Sequence, residues 1–155
     1  MLKKSLLIGA FALAPASITS AGPFNVIDGI CSQDSHTAEG QIDSDLTKRQ
    51  SRFFCNAAII INYNDYKGHL LVQFAAKEAS HSQLLAFAGR LDNENIMKVE
   101  HLYLGGAKPI TVSDGYCKFF LKDQGISGIA CGVKVDETGR RTVAIVGFDA
   151  RRAGK

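Results

Sequence analysis

The sequence lacks the short motifs that mark several common enzyme classes. It contains no G-x-S-x-G segment, the turn that presents the nucleophilic serine of many hydrolases. Gly105-Gly106 is followed by Ala107-Lys108-Pro109, which does not have the spacing of a phosphate-binding loop. We therefore expect neither of these chemistries, and we interpret the paired glycines as a turn.

Closely spaced cysteine pairs, which bind zinc in C-x-x-C motifs, are also absent. The four cysteines are Cys31, Cys55, Cys117 and Cys131, with 23, 61 and 13 residues between successive members. An even number of cysteines in an exported chain indicates two disulfides. We therefore expect disulfide bonds, and neither a metal nor another cofactor.

The sequence has no apolar run long enough to cross a membrane. A spanning helix needs about 20 apolar residues, whereas the run at residues 6–14 ends at Pro15. Lys3 and Lys4 precede this run and small residues follow it, which is the pattern of a cleaved secretory signal. We predict a signal peptide over residues 1–21.

The cleavage site sets the predicted destination of the protein. Cleavage after Ala21 leaves Thr19 and Ala21 as the small residues before the cut, and cleavage after Ala16 is the alternative. No cysteine lies at either cut, so a lipid anchor on a new N-terminal cysteine is not expected. We expect export to the bacterial periplasm or the medium, without a stable membrane anchor after cleavage.

The mature chain also lacks a strong charge of either sign. The sequence has 18 Lys and Arg against 15 Asp and Glu, and the predicted signal removes two lysines and no acid, leaving +1. Nucleic-acid binding depends on dense positive charge, so we do not expect a nucleic-acid partner. The 134 residues that remain suit one domain with one core.

What the sequence does contain is a series of short apolar segments separated by turn residues. Seven candidate strands cover residues 53–62, 69–75, 84–91, 96–104, 116–122, 126–136 and 141–150. Such spacing predicts a mainly β fold, an antiparallel sandwich or small barrel. We expect a β domain over residues 52–155, preceded by an irregular or short-helical lead-in over residues 22–51, both in one globular unit.

Residues 44–61 leave the fold class partly open. Ser44-Asp45 can cap a short helix that ends near Arg52, followed by a strand that contains Ile59-Ile60-Ile61. The apolar residues of this segment also follow a helical period. The alternative is therefore an α+β fold, with one helix packed on an antiparallel sheet.

The last two hairpins predict the disulfide pairing. If the turn at Asp123-Gln124-Gly125 is centred on Gln124, Cys117 lies directly opposite Cys131. Directly opposed Cβ atoms are about 4.5–5.5 Å apart, close to disulfide reach. We predict Cys117–Cys131, which leaves Cys31–Cys55. A second turn at residues 136–139 has the composition of a type I turn, with Gly139 suited to positive φ.

The four histidines, His36, His69, His81 and His101, form no evident catalytic set. His81 lies between two serines in a predicted loop and is the best candidate for a general base, but nothing places an acid or nucleophile beside it. His69 and His101 lie on candidate strands and could approach each other, yet two histidines without a third ligand indicate a structural role. Alternation over residues 96–104 places His101 on the face of Met97 and Val99.

Two carboxylate pairs could serve acid–base chemistry on a sugar, Asp43 with Asp45 and Asp92 with Glu94. Both pairs lie in polar, turn-like sequence, which indicates solvated side chains. We therefore predict no catalytic residue, and the sequence favours a non-enzymatic protein.

Tyr63 and Tyr66 are the candidate binding residues. They flank Asn64-Asp65 in the first predicted turn, and tyrosines on a rigid loop make effective contact anchors. Ser127-Gly128 is similar to the start of the Ser-Gly-x-Arg-Tyr pattern of one family of small periplasmic lysozyme inhibitors, but Ile129-Ala130 departs from it. The resemblance covers compartment and architecture only.

We therefore expect an exported, disulfide-bonded domain that is a non-enzymatic binding or inhibitor-type module, with a protein or an envelope component as its partner. The alternatives are a small periplasmic hydrolase that uses His81 or the loop acids, and a structural envelope protein.

Overall fold

The computed structural model describes residues 24–63, 67–76 and 84–151. These residues form β-strands and one turn of 3-10 helix over Leu46–Arg49. The strands are β1 (Phe24–Cys31), β2 (His36–Gln41), β3 (Gln50–Arg52), β4 (Ala57–Asn62), β5 (His69–Ala75), β6 (Leu85–Asn93), β7 (Ile96–Leu104), β8 (Ile110–Thr111), β9 (Asp114–Lys122), β10 (Gly125–Glu137) and β11 (Arg140–Ala150). The predicted signal, Tyr66 and His81 lie outside the described residues.

The strands close into an antiparallel barrel, because β1 pairs with β4 on one side and with the end of β11 on the other. In three cases two short strands lie end to end and occupy one strand position of the barrel: β1 with β2, β3 with β4, and β8 with β9. The barrel therefore has eight strand positions, each beside its neighbours in sequence. The prediction of a mainly β fold is confirmed, in the form of a small barrel.

The segment that the sequence predicts to be an irregular lead-in supplies β1 and β2, and β3 spans the boundary placed between residues 51 and 52. Its alternation of polar and apolar residues is weak, since Asp28 and Gly29 interrupt β1. Strand β1 forms because β4 on one side and β11 on the other provide backbone N–H and C=O groups for it to pair with. Pairing with segments distant in sequence decides the conformation here, and local propensity does not.

The predicted short helix is a single turn. The Asp45 carboxylate accepts a hydrogen bond from the Thr47 N–H at 3.0 Å, and the turn ends at Arg49. Residues 50–52 and 57–62 are strands, so the alternative of one long helix over residues 44–61 is wrong. The branched side chains of Ile59-Ile60-Ile61 favour the pleated strand over a helix.

Inward-facing side chains fill the barrel. The ring of Phe74 lies 5.9 Å from that of Phe87 and 5.8 Å from that of Phe148, measured between centroids. Met97 and Leu102 are fully buried in the same cluster. Eight strands enclose a space just wide enough for side chains to fill, which is the arrangement here.

Two disulfides join Cys31 to Cys55 and Cys117 to Cys131, the pairs that the sequence predicts. The β9–β10 hairpin reaches its register by an unexpected route. Its turn is centred between Asp123 and Gln124, because Lys122 pairs with Gly125. A bulge at Ser127 then shifts the register by one residue and places the two cysteines directly opposite each other.

Candidate functional site

A depression of about 480 Å³ lies on the outer wall of the barrel, between the end of β4 and strand β7. We call it the outer depression. It is lined by Tyr63, His69, Leu70, Ala88, Gly89, Glu100, His101 and Tyr103. It therefore contains one of the two predicted binding tyrosines and two of the four histidines.

Tyr63 stands at the edge of the outer depression with 57% of its surface exposed. It follows directly after β4, and its N–H donates a hydrogen bond to the His69 carbonyl oxygen at 3.2 Å. The sheet thus holds the backbone of Tyr63, while the residue keeps much of its surface open to solvent. This combination suits a contact anchor.

The floor of the outer depression is formed by small residues on β6. Ala88 lies directly opposite His101 on β7, and His69 on β5 lies opposite Arg90 on β6. The two histidines are therefore separated by a whole strand and offset by two residues along it, which places their backbones about 12 Å apart. They line the same depression, and β6 lies between them.

A β-bulge in β7 determines which of its side chains face outward. Ala88 pairs with His101 and Gly89 with Val99, so Glu100 is an extra residue on β7. The prediction that His101 shares a face with Met97 and Val99 is wrong for this reason. His101 is exposed, whereas Leu102 takes the buried position.

Gly89 permits this bulge. A Cβ atom at residue 89 would collide with the carbonyl oxygen of Lys98 on the neighbouring strand. Glycine is therefore needed where the two backbones approach each other closely. The bulge in turn brings Glu100 and His101 to the rim of the outer depression.

An exposed ion pair borders the outer depression. The Arg90 Nε donates to a Glu100 carboxylate oxygen at 2.8 Å. Lys98 lies directly opposite Arg90 on β7, so two like charges adjoin and Glu100 offsets part of their repulsion. The net contribution of such an exposed pair to stability is about 0–1 kcal/mol.

The sequence does not single out Tyr103 and Glu100, which line the outer depression, or Arg90, whose ion pair with Glu100 borders it. Tyr103 lies two positions after His101 in a predicted strand, and this spacing places it on the same face. Arg90 and Glu100 meet through the pairing of β6 with β7, which local sequence does not reveal.

The predicted carboxylate candidates have structural or exposed positions. The Thr47 hydroxyl donates a hydrogen bond to the Asp45 carboxylate and has the larger effect on its pKa. Together with the Thr47 N–H, it holds the pKa of this carboxyl below its ordinary value. Asp92 and Glu94 are exposed at the β6–β7 turn. Asp45 therefore has a structural role as the cap of the helical turn.

Strand β11 separates Arg140 and Arg141, at its start, from Arg151 at its other end. Arg140 begins β11, and Arg151 follows its last residue. The Arg141 guanidinium donates to both oxygens of Asp136, at 2.7 and 3.0 Å. Hydrogen bonding from Arg141 holds the pKa of the Asp136 carboxyl below its ordinary value.

All four cysteines are in disulfides. Among the described residues, no group of three His, Cys, Asp or Glu side chains is placed to hold a metal ion. Across the same residues there is no helix of the length and apolar character needed to span a membrane.

Comparison with known proteins finds no family model, no curated protein and no solved structure that matches this chain. The outer depression must therefore be interpreted from its own chemistry.

Proposed function

We propose that the protein is an exported, non-enzymatic binding module that contacts a protein or another envelope component through its outer wall at Tyr63. The observation that carries the proposal is the contrast between a barrel filled by its own side chains and an outer depression lined by two tyrosines and two histidines. Tyrosine is enriched among the residues that dominate binding energy.

The surface beside the outer depression also suits a macromolecular partner. Ile61 pairs with Leu71 on the outer face, and Phe24, opposite Ile61 on β1, is 61% exposed. An apolar strip thus adjoins polar and aromatic groups. Protein interfaces combine such an apolar centre with a polar rim.

Export is the second part of the proposal. The pattern of residues 1–21 supports a cleaved signal, and the two disulfides fit an oxidising compartment such as the bacterial periplasm. The intact mass of the protein recovered from the exported fraction measures this directly. We expect a mature chain that starts at Gly22.

The test of binding compares Tyr63→Ala with Tyr116→Ala. Tyr116 is a matched control, since it is 48% exposed and lies on β9, outside the lining of the outer depression. The tagged mature protein is incubated with periplasmic extract, and the captured molecules are quantified by mass spectrometry. Tyr66→Ala, run in parallel, tests the second predicted tyrosine.

We expect Tyr63→Ala to reduce capture of the partner about tenfold or more, as loss of a dominant contact does. Tyr116→Ala should leave capture unchanged. A set of captured molecules that is the same for all variants would refute the role of Tyr63. Circular dichroism and thermal melting establish that each variant is folded.

The alternative of a small hydrolase depends on His81 and the loop acids, and the alternative of a structural envelope protein needs no ligand. If the protein is a hydrolase, we expect its hydrolytic activity to be lost in His81→Ala and retained in Tyr63→Ala. The structural protein predicts no capture that depends on Tyr63.

A further inference from the structure

A second depression, of about 300 Å³, lies at the end of the barrel where β2 and β3 extend. We call it the barrel mouth. It is lined by Thr37, Glu39, Ser51, Arg52, Phe53, Leu84, Leu85, Leu104 and Gly105. It shares no lining residue with the outer depression.

The strand register shows that Glu39 faces the inside of the barrel. Thr37 pairs with Ala144, and Glu39 pairs with Thr142. Directly paired residues lie on the same face of a sheet, and Ala144 is a fully buried member of the core. The side chain of Glu39 is therefore on the inner face, at the level where the apolar core ends.

The opposite face of β2 is covered by the helical turn. A Cβ atom at Gly40 would contact Leu46 and Ser44, so the turn packs against the outside of the strand at this point. Glu39, which neighbours Gly40, must then point toward the barrel mouth.

The barrel mouth combines an apolar wall with hydroxyl groups and one carboxylate. Leu85 and Phe53 belong to the buried core and close its inner side. Ser51 pairs with Thr37, so two hydroxyl groups lie on the inner face beside Glu39. Concave, mostly apolar sites with a few polar groups are the usual form of small-molecule sites, including those in barrel mouths.

The Glu39 carboxylate has no hydrogen bond or ion pair to another residue in the part of the chain that is described. Arg52, the cation in the lining, is oriented elsewhere. It pairs with His36 on the outer face, and its guanidinium carbon lies 4.5 Å from the centre of the Phe54 ring. The carboxylate is thus available to a ligand.

We infer that the barrel mouth binds a small apolar molecule that carries a protonated amine, with Glu39 as the counter-ion. An apolar ligand that covered this carboxylate without supplying a charge would remove its hydration at a large cost. An ammonium group offsets that cost through a charge-assisted hydrogen bond. Its other N–H groups can donate to the hydroxyl oxygens of Thr37 and Ser51.

This inference goes beyond the proposed function, because it assigns a different ligand class to a different end of the barrel. It does not depend on Tyr63, so either proposal can fail alone.

The test is a titration of the ¹⁵N-labelled mature protein with n-octylamine, followed by backbone amide shifts in ¹H–¹⁵N spectra. n-Octanoate and n-octanol, of the same chain length, are the comparison probes. We expect octylamine to shift the amides of Thr37, Ser51 and Leu104. Octanoate and octanol should bind at least about tenfold more weakly, since neither supplies the positive charge.

Glu39→Gln removes the charge and keeps the shape of the side chain. It should weaken octylamine binding about tenfold or more, with the unliganded spectrum otherwise preserved. Glu94→Gln is the control, because Glu94 lies in the β6–β7 turn, at the opposite end of these strands from Leu85 and Leu104. It should bind octylamine as the unmodified protein does.

Three results would overturn the inference. These are octanoate or octanol binding as tightly as octylamine, an unchanged affinity in Glu39→Gln, and shifts confined to residues outside the barrel mouth. Shifts at Tyr63 and His101 alone would assign the probe to the outer depression instead.

Discussion

At the residue scale, the buried polar residue Ser35 determines the local geometry between the first two strands of the barrel. It is fully buried, between β1 and β2. Its hydroxyl donates to the Gly147 carbonyl oxygen at 3.2 Å and accepts from the Gly147 N–H at 3.1 Å. The Gly147 carbonyl oxygen also accepts from the Ser32 N–H, so the Ser35 hydroxyl is needed chiefly as the acceptor for the Gly147 N–H, where β1 and β2 are interrupted.

Ser35→Ala should lower the free energy of unfolding by about 1–3 kcal/mol, because it leaves the partly buried Gly147 N–H without its side-chain acceptor. Urea denaturation measures this loss. Ser44→Ala is the control: Ser44 donates to the Gln41 carbonyl oxygen in an exposed turn, so its removal should cost no more than about 0.5 kcal/mol. Equal losses in the two variants would contradict this role for Ser35.

At the scale of single elements, the turn between β10 and β11 differs from the turn type that the sequence predicts. Thr138 and Gly139 both have positive φ, 41° and 78°, and Glu137 pairs with Arg140. This is a two-residue turn of the type I′ class, where the composition predicts type I. The positive φ expected at Gly139 is present, but the branched Thr138 adopts the same strained region.

Thr138→Asn should stabilise the protein by about 1 kcal/mol, because asparagine tolerates the left-handed region and Asn-Gly is the preferred type I′ pair. Thermal melting should show a higher midpoint. The control is Thr111→Asn on β8, where φ is negative and no gain is expected. A lower midpoint in Thr138→Asn would refute the assignment of strain to this residue.

At the scale of the whole molecule, the barrel closes where β1 and β2, which share one strand position, pair with β11. β1 and β11 share only the pairs Gly29–Ala150, Ile30–Asp149 and Cys31–Phe148. The Cys31–Cys55 disulfide lies at this seam and links β1 to the segment before β4, while Cys117–Cys131 links two strands that already form a hairpin. Both bonds limit the freedom of the unfolded chain, and the first also supports closure.

Replacing either disulfide by two alanines should cost about 3 kcal/mol in the chain-entropy account. Urea denaturation of Cys31→Ala/Cys55→Ala and of Cys117→Ala/Cys131→Ala measures the two losses separately. We expect the first variant also to show faster amide exchange at Gly29 and Ile30, since closure loses its covalent support. If amide exchange at Gly29 and Ile30 were equally fast in the two variants, the Cys31–Cys55 bond would not support closure.

Local sequence was sufficient for features that arise within one hairpin or one strand. Seven of the strand positions follow from apolar segments between turn residues. The Cys117–Cys131 pair is predicted correctly, although the bulge at Ser127 sets its register and the turn is not centred on Gln124. Even here two one-residue bulges, at Ser127 and Glu100, change which residues face each other. A bulge depends on both strands at once, as the close approach of Gly89 to Lys98 shows, so neither strand alone predicts it.

The sequence by itself determined the mainly β class, the oxidised cysteines and the choice of Tyr63 as a candidate. The tertiary structure alone decided that residues 24–41 complete the barrel, that Tyr63 lines the same depression as His101 and Tyr103, and that Glu39 faces inward. The physical reason is common to all three. Each depends on which distant strands share a hydrogen-bonded edge, and backbone pairing carries no local signature in the side chains.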